Sequence, residues 1–523
     1  MHKCLIIISI AVCLTAKTRE YQLSGRTFQI KVHNINQIEM SISNYGIFGQ
    51  TAGGAAGLWW PKGSGHNYVF GAGLWFGTVD STTGDTLVTV GYSPHGGVHE
   101  FGPGLSGMSP ADTNAIIYMF PDPWPPPQPV FPMAPQVQLS HQDSWCCMND
   151  TDITLHVPGD TRPIGIEVYQ TVYVWDLHAI DDIAFLTFQI KNISGHNLND
   201  CYFGIVTDCD IGNESGAAAN DRCTGIIQRP YFIDGNWYIA DNLAYQWQEE
   251  PEAGWSEFPG VIGFDLLQTP FDLQTGQDKD NDGILDQYER DSSYYVNNLP
   301  PFMWDIDEDW VPDWRDASEN PQRGMTALKR FTLSLEPNLD HERYLVLAGY
   351  NFQTGAYEPY DTILPPSDDQ RFLMSSGPFD LAPDSIITAV CAIVLAYWHD
   401  TYLTPDTALV PVDYWAQHVY DHSWRMFDIE EIKNTQNANT HLAVSPNPLH
   451  AHASVSFSLS QSGRVSLKLY NAAGQLVKQL FNSYKSAGTY SIVFDCQDIG
   501  RGTYFLLLTT TSGRKSQSLV IVK

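Results

Sequence analysis

Residues Asp278 to Glu289 read DKDNDGILDQYE, with carboxylates at positions 1, 3, 5, 9 and 12 and Gly283 at position 6. Alternate residues of a tight loop point inward, and a glycine permits the sharp turn that aims them. Such a set of hard oxygens suits Ca2+, which takes roughly six to eight of them. Asp278, Asp280 and Asp282 would supply carboxylates, Ile284 its carbonyl, Asp286 a direct or water-mediated contact, and Glu289 two oxygens. With 59 acids in 523 residues, about 0.01 windows with these five positions acidic are expected by chance. The spacing therefore stands out from composition.

A second stretch, DIDEDWVPDWRD, places Asp305, Asp307, Asp309, Asp313 and Asp316 at the same five positions, with Val311 offering the carbonyl. Trp310 stands where the first loop has glycine, so the turn must differ. Residues 272–316 hold 13 acids against 3 basic residues. Without cations these carboxylates repel one another within a Debye length. A third group, Asp208, Asp210 and Asp221, lies in TDCDIGNESGAAANDRC. It reads either as a calcium site at a sandwich edge or as a polar loop with Asx turns.

Other chemistry is weakly supported. His95 and His99 are four apart, but Gly96 and Gly97 between them argue against the helix that would aim both at zinc. No nucleophile elbow, zinc-protease helix motif, phosphate loop or dinucleotide fingerprint occurs in the sequence. Trp59, Trp60, Trp75, Trp124 and Trp145 are candidates for a sugar-stacking platform or for core residues.

The elements that must position these groups are strands. The chain is 43% apolar and 17% charged, with 41 Gly and 32 Pro, a composition of globular proteins rich in turns. The net charge of −31 excludes nucleic acid and anionic membrane as natural partners and favours cations. Residues 67–79 and 86–92 form a hairpin pattern around the turn 80–85. Strands are predicted at 164–175, 183–193, 201–206, 344–350 and 386–397, and a helix at 412–426 following Pro411. Residues 121–135 contain eight prolines and must be an extended loop. Cys146, Cys147, Cys201, Cys209, Cys223, Cys391 and Cys496 form no CxxC pair, and either a bridge among Cys201, Cys209 and Cys223 or buried free thiols fits the pattern. The start of the chain, a basic tripeptide followed by an apolar run at 4–14, reads as a signal peptide over 1–16. No later stretch is apolar over a bilayer-spanning length. Residues 20–430 then form a β-rich body with a calcium-loop insertion at 272–316. A polar linker follows at 431–441, and six or seven short strands at 442–523 suit an immunoglobulin-like β-sandwich. The fold class is all-β.

Family resemblances sharpen this reading. The first loop is similar to the calcium loop of EF-hands, although no long helix flanks it on both sides. The second resembles thrombospondin type 3 calcium repeats, where Val-Pro-Asp follows the third acid. The tail carries SPNP, then VSLKLYNAAGQLVKQL, SAGTYSIVFDCQDIGRGTYFLLL and KSQSLVIVK in order. It resembles the type A C-terminal sorting domain of the bacterial type IX secretion system. That resemblance implies export to the periplasm, recognition by the type IX machinery and delivery to the medium or the outer cell surface. The segments NYGIFGQTAGGAAGLWWPKGSGHNYVFGAGLWFG, SHQDSWCCMNDTD and RFLMSSGPFDLAPDS resemble recurring parts of large secreted proteins bearing such a tail, a group without an activity to carry over. The sequence thus favours a non-enzymatic, calcium-stabilised structural or adhesive protein with a surface glycan or protein as ligand. The alternatives are a secreted polymer hydrolase built on paired carboxylates and a carbohydrate-binding protein.

Overall fold

A computed structural model describes residues 26–522, apart from 95–98, 213–216, 234–235, 256–257, 306–310, 333–334, 365, 399–402, 425–441 and short turns within the last eighty residues. The expected signal peptide and linker, together with His95, Asp307 and Asp309, lie outside the described residues.

Apolar residues at alternate positions bring two large antiparallel sheets face to face. One has ten strands and includes Gly71–Val79, Leu198–Asp208 and Gln370–Leu381 side by side. The other has nine and includes Ile183–Asn192, Val261–Gln268 and Ile386–Ala396. Leu74, Phe76, Phe203 and Ile205 from the first sheet meet Leu186, Phe188, Phe264 and Ile393 from the second in one buried core. The odd-numbered set of Val261–Gln268 points the other way. There Val261 and Leu267 pack with Leu409, Ala416 and Val419 of the helix Pro405–Asp421. This helix comes so close that a side-chain carbon on Gly263 would lie 2.5 Å from Leu409. The outer face of the first sheet is covered by a second helix, Asp340–Leu347, through Val346 and Leu347 against Trp75, Val88 and Val206. The body is therefore a sandwich with a helix on each outer face.

Two sequence expectations change, and one open alternative is decided. Residues 344–350 do not form a strand: Tyr344 to Leu347 belong to that second helix, whose Glu342 accepts the backbone N–H of Asn338 and Leu339 at its start. Alternating Tyr, Leu and Val mimicked a strand, but the cap and the one-sided apolar contacts set a helix. The other helix begins at Pro405, not after Pro411, because Pro405 sits at a first-turn position where its missing N–H is harmless and Thr404 precedes it as cap. Among the described residues, Cys146, Cys147, Cys201, Cys209, Cys223, Cys391 and Cys496 are all buried free thiols. The tail folds as seven strands in a three-stranded and a four-stranded sheet. Val455, Phe457, Leu467, Leu506 and Leu519 lie in its core. The all-β fold class holds for both units.

Two carboxyl groups are buried where the helix Pro405–Asp421 meets the second sheet. Asp265 is 2% exposed and Asp413 3% exposed, and their carboxyl groups lie beside each other. Asp241 of the hairpin and Asp421 at the helix end add negative field. Burial pushes Asp265 well up and Asp413 up to about 7, so the pair holds a proton that the unfolded chain would release. A folded-state pKa above the unfolded value gives stability that is present at low pH and lost as pH rises through the folded value. Thermal melting of the body is therefore expected to weaken from pH 6 to 8, with a slope up to about 1.4 kcal/mol per pH unit for each proton held. Asp413→Asn, which hydrogen-bonds without titrating, should flatten that slope. A parent protein whose melting is level across this range would refute the shared proton.

Candidate functional site

The first acidic loop hangs between the strand Val261–Gln268 and the short helix Ser292–Asn298. Ile284, fully buried, anchors its middle. Gly283 has φ +96° and open space around it, so the turn there uses a conformation that side-chain-bearing residues rarely adopt. Asx-type contacts tighten the turn: Ile284 N–H donates to Asp282 at 2.7 Å and Asp282 N–H to Asp280 at 3.4 Å. Asp291 caps the helix that follows, accepting from the N–H groups of Ser293 and Tyr294.

Three of the carboxylates expected to converge do so. Asp278, Asp280 and Asp282 each place an oxygen within 4.8 Å of the others. Glu289 lies outside this trio but near enough to feel the charges of Asp282 and Asp280. It is fully buried, its Oε2 accepts from Tyr295 O–H at 3.2 Å, and its Oε1 has no hydrogen-bond partner. Asp278 Oδ1 is likewise buried and unpartnered. Burial and then the charges of Asp282 and Asp280 push the Glu289 carboxyl up to about 8. Burial first, then neighbouring carboxylates, also raises Asp280 and Asp282. Asp286 takes a different part. Its two oxygens accept the N–H groups of Lys279 and Gln274 at 2.9 and 3.1 Å, so it ties the loop ends together. Oxygen donors alone, two of them buried without a partner, fit a hard cation and offer nothing to zinc.

The second stretch is arranged differently. Asp313 and Asp316 are buried. Asp316 accepts from Ser318 N–H at 2.9 Å and from the Ser318 and Ser423 hydroxyls at 2.6 and 3.2 Å, which joins this turn to the end of the long helix. Asp305 and Val311 flank residues outside the described set. In the third group, Asp208 and Asp210 do come together, but with Asp369 as the third member within 4.8 Å. Sequence spacing could not reveal Asp369, which sits just before the strand Gln370–Leu381, more than 150 residues later. Asp221 is spent on Ile211 N–H and Gln246 at 3.1 and 2.9 Å. This group already contains a cation: Arg371 lies 3.2 Å from Asp208, 2.9 Å from Glu336 and 2.7 Å from Asp369.

Trp60, Trp75 and Trp145 are core residues, at most 2% exposed. Away from the acidic loops, a cleft of about 700 Å3 is lined by Asp85, Asp160, Asp340 and His341. Asp340 there is 2% exposed and bound to Val88 N–H and Arg343, so it docks the helix Asp340–Leu347. A larger cleft, about 840 Å3, lies beside the first loop and includes Asp241, Asp280 and Asp282 in its wall.

Comparison with known proteins identifies the tail. Residues 443–523 match the secretion system C-terminal sorting domain. The chain is thus a secreted or cell-surface protein whose C-terminal unit engages the type IX secretion machinery. No curated protein matches the chain. Among solved structures, a polysaccharide lyase shows 6% identity and a TM-score of 0.21, over 95% of this chain and 46% of the lyase chain. Dimeric latent PorU from Porphyromonas gingivalis shows 11% identity and a TM-score of 0.14, over 73% of this chain and 32% of that one. The chain thus spans less than half of either neighbour, and likeness this slight bears on neither activity nor substrate. No described helix is long and apolar enough to cross a membrane. Removal of residues 442–523 is expected to leave the body in the periplasm. Cell fractionation with an antibody against the body checks this, and undiminished surface delivery of the shortened protein would overturn it.

Proposed function

We propose that the body is a non-enzymatic, calcium-stabilised structural or adhesive module carried to the cell surface by its sorting tail. The observation behind this reading is the convergence of Asp278, Asp280 and Asp282 over the buried Glu289, with the Oδ1 of Asp278 and the Oε1 of Glu289 left without partners. Four carboxylates so close destabilise one another, and burial sharpens the cost. A Ca2+ ion would remove that cost and satisfy both oxygens. Asp278, Asp280, Asp282 and Glu289 would hold it, with the Ile284 carbonyl completing the set and Asp286 bracing the loop. The loop is similar in spacing to an EF-hand loop, but the pair of packed helices that turns such loops into sensors is missing among the described residues here. A stabilising role follows. For the second stretch, the occupation of Asp316 by two serines favours a turn-fixing part over ligation. Asp208, Glu336 and Asp369 form an ion-pair hub around Arg371, with Asp210 beside it.

A resident ion with an affinity on the order of 0.1–1 mM, as in extracellular modules, stabilises the native state by about 2.7 kcal/mol at hundredfold excess. Calcium is expected to raise the melting temperature and to protect residues 272–316 from protease. Magnesium should do so less, since a near-ideal octahedron is hard to build from this many loop oxygens. Asp282→Ala combined with Glu289→Ala should abolish the gain. If chelator changes neither melting nor cleavage and the double variant matches the parent, the loop is a solvated acidic turn and the reading fails.

A further inference from the structure

The hairpin Asp221–Ile233/Asn236–Gln248 runs beyond its sheet. The next strand pairs with it only from Leu243 to Trp247, so residues 228–233 and 236–241 form a two-stranded ribbon beyond that pairing. The register is continuous, with Ile226 opposite Leu243 and Gln228 opposite Asp241. The buried face nevertheless changes sides at Asn242, which has φ +51°. Before that residue Ile226 and Leu243 pack toward the helix Pro405–Asp421, whereas beyond it Ala240, Tyr231 and Tyr238 do. Tyr238 meets Tyr414, and Tyr231 O–H donates to Asp406 at 3.0 Å.

That inversion turns an apolar row outward. Phe232, Trp237 and Ile239 are 61%, 73% and 69% exposed. The Phe232 and Trp237 rings face each other across the ribbon at 5.1 Å. Exposed rings of this size need a reason, because burial of either would be favourable. The row is continuous with the 840 Å3 cleft: Ile239 belongs to both, and Gln228, Asp241, Arg323 and Tyr360 continue the wall with polar groups. Asp280 and Asp282 of the first acidic loop also line this cleft.

We infer that this cleft and ribbon bind a neutral glycan chain. The inference rests on the adhesive reading above and supplies its ligand. Flat rings present an apolar face to the C–H side of a sugar ring, and carboxylate, carboxamide and guanidinium groups at the rim hydrogen-bond its hydroxyls. Charge selects within the class. Asp241, Asp280, Asp282 and Glu319 line the cleft against Arg323 alone, so polyanions are repelled while an uncharged chain enters. Calcium in the loop would fix one wall of the cleft and make binding calcium-dependent.

Affinity electrophoresis of the full chain through gels containing laminarin, xylan, mannan or dextran tests this, with alginate as anionic control and a Lys-rich peptide as competitor. At least one neutral polysaccharide is expected to retard the protein and alginate is not. Trp237→Ala, at a site too exposed to disturb folding, should weaken that binding by about tenfold, as for an interfacial aromatic anchor. Asp241→Asn should weaken it while leaving the calcium-dependent rise in melting temperature intact. Lack of retardation by all four neutral polymers, retardation unaffected by Trp237→Ala, or Trp237-dependent capture of the peptide in their place would overturn the inference. Calcium melting on the same samples separates the two readings: a calcium response without glycan binding refutes only the glycan, and glycan binding unaffected by chelator refutes the loop's part in the cleft.

Discussion

Everything in the body depends on one strand that returns. Ile386–Ala396 lies between Ile183–Asn192 and Val261–Gln268, with Leu186 opposite Cys391 and Phe264 opposite Ile393. The chain leaves the centre of the second sheet at residue 192 and comes back to it about two hundred residues later. Closing so long a loop costs conformational entropy, though the cost grows only slowly with length. Two full ladders of backbone hydrogen bonds and a continuous run of buried Ala, Val, Ile and Leu oppose it. The acidic loops, the long hairpin and its ribbon all lie within the stretch that this strand closes. Their positions are consequences of its pairing rather than of local contacts alone.

The charge distribution follows from the same arrangement. Burying a carboxylate within a sheet is costly, so many of the acids collect at strand ends, in the insertion and at the seam with the long helix. Each place handles the repulsion differently. Around Asp208 and Asp369 an arginine sits among the acids. Between Asp265 and Asp413 a proton is held, and serine hydroxyls and a backbone N–H occupy Asp316. Asp278 and Glu289 also keep buried oxygens without a hydrogen-bond partner, and there the carboxylates come from a single loop, which is why that loop carries the metal reading.

What was legible in the sequence was local and periodic. The runs at 164–175, 183–193 and 386–397 declared themselves as strands because they are apolar on both faces. The first acidic loop declared itself because its ligand spacing is contained in twelve consecutive residues. The long hairpin was not read: Pro230, Asp241 and Asn242 interrupt its alternation, and the face change at Asn242 removes the period that a pattern search needs. Asp369 and the Asp265–Asp413 pair were invisible for another reason. Their partners are brought together across more than a hundred residues, by strand pairing for Asp369 and by the packing of the long helix on the sheet for Asp413, and spacing carries no trace of that. The tail was recognised by the order of its motifs, and its seven strands then follow the turns the sequence marks.

The left-handed residue at Asn242 has a consequence for how this surface can change over time. Because one backbone torsion, and not the make-up of the ribbon, decides which side faces solvent, the outward side chains share few neighbours with the core. Substitutions at separated sites without common partners act independently of one another. Positions 232, 237 and 239 can therefore be rewritten with little effect on folding, while Tyr231, Tyr238 and Ala240 hold the ribbon to its helix. Within a single hairpin the molecule thus separates a surface that tolerates change from a frame that does not.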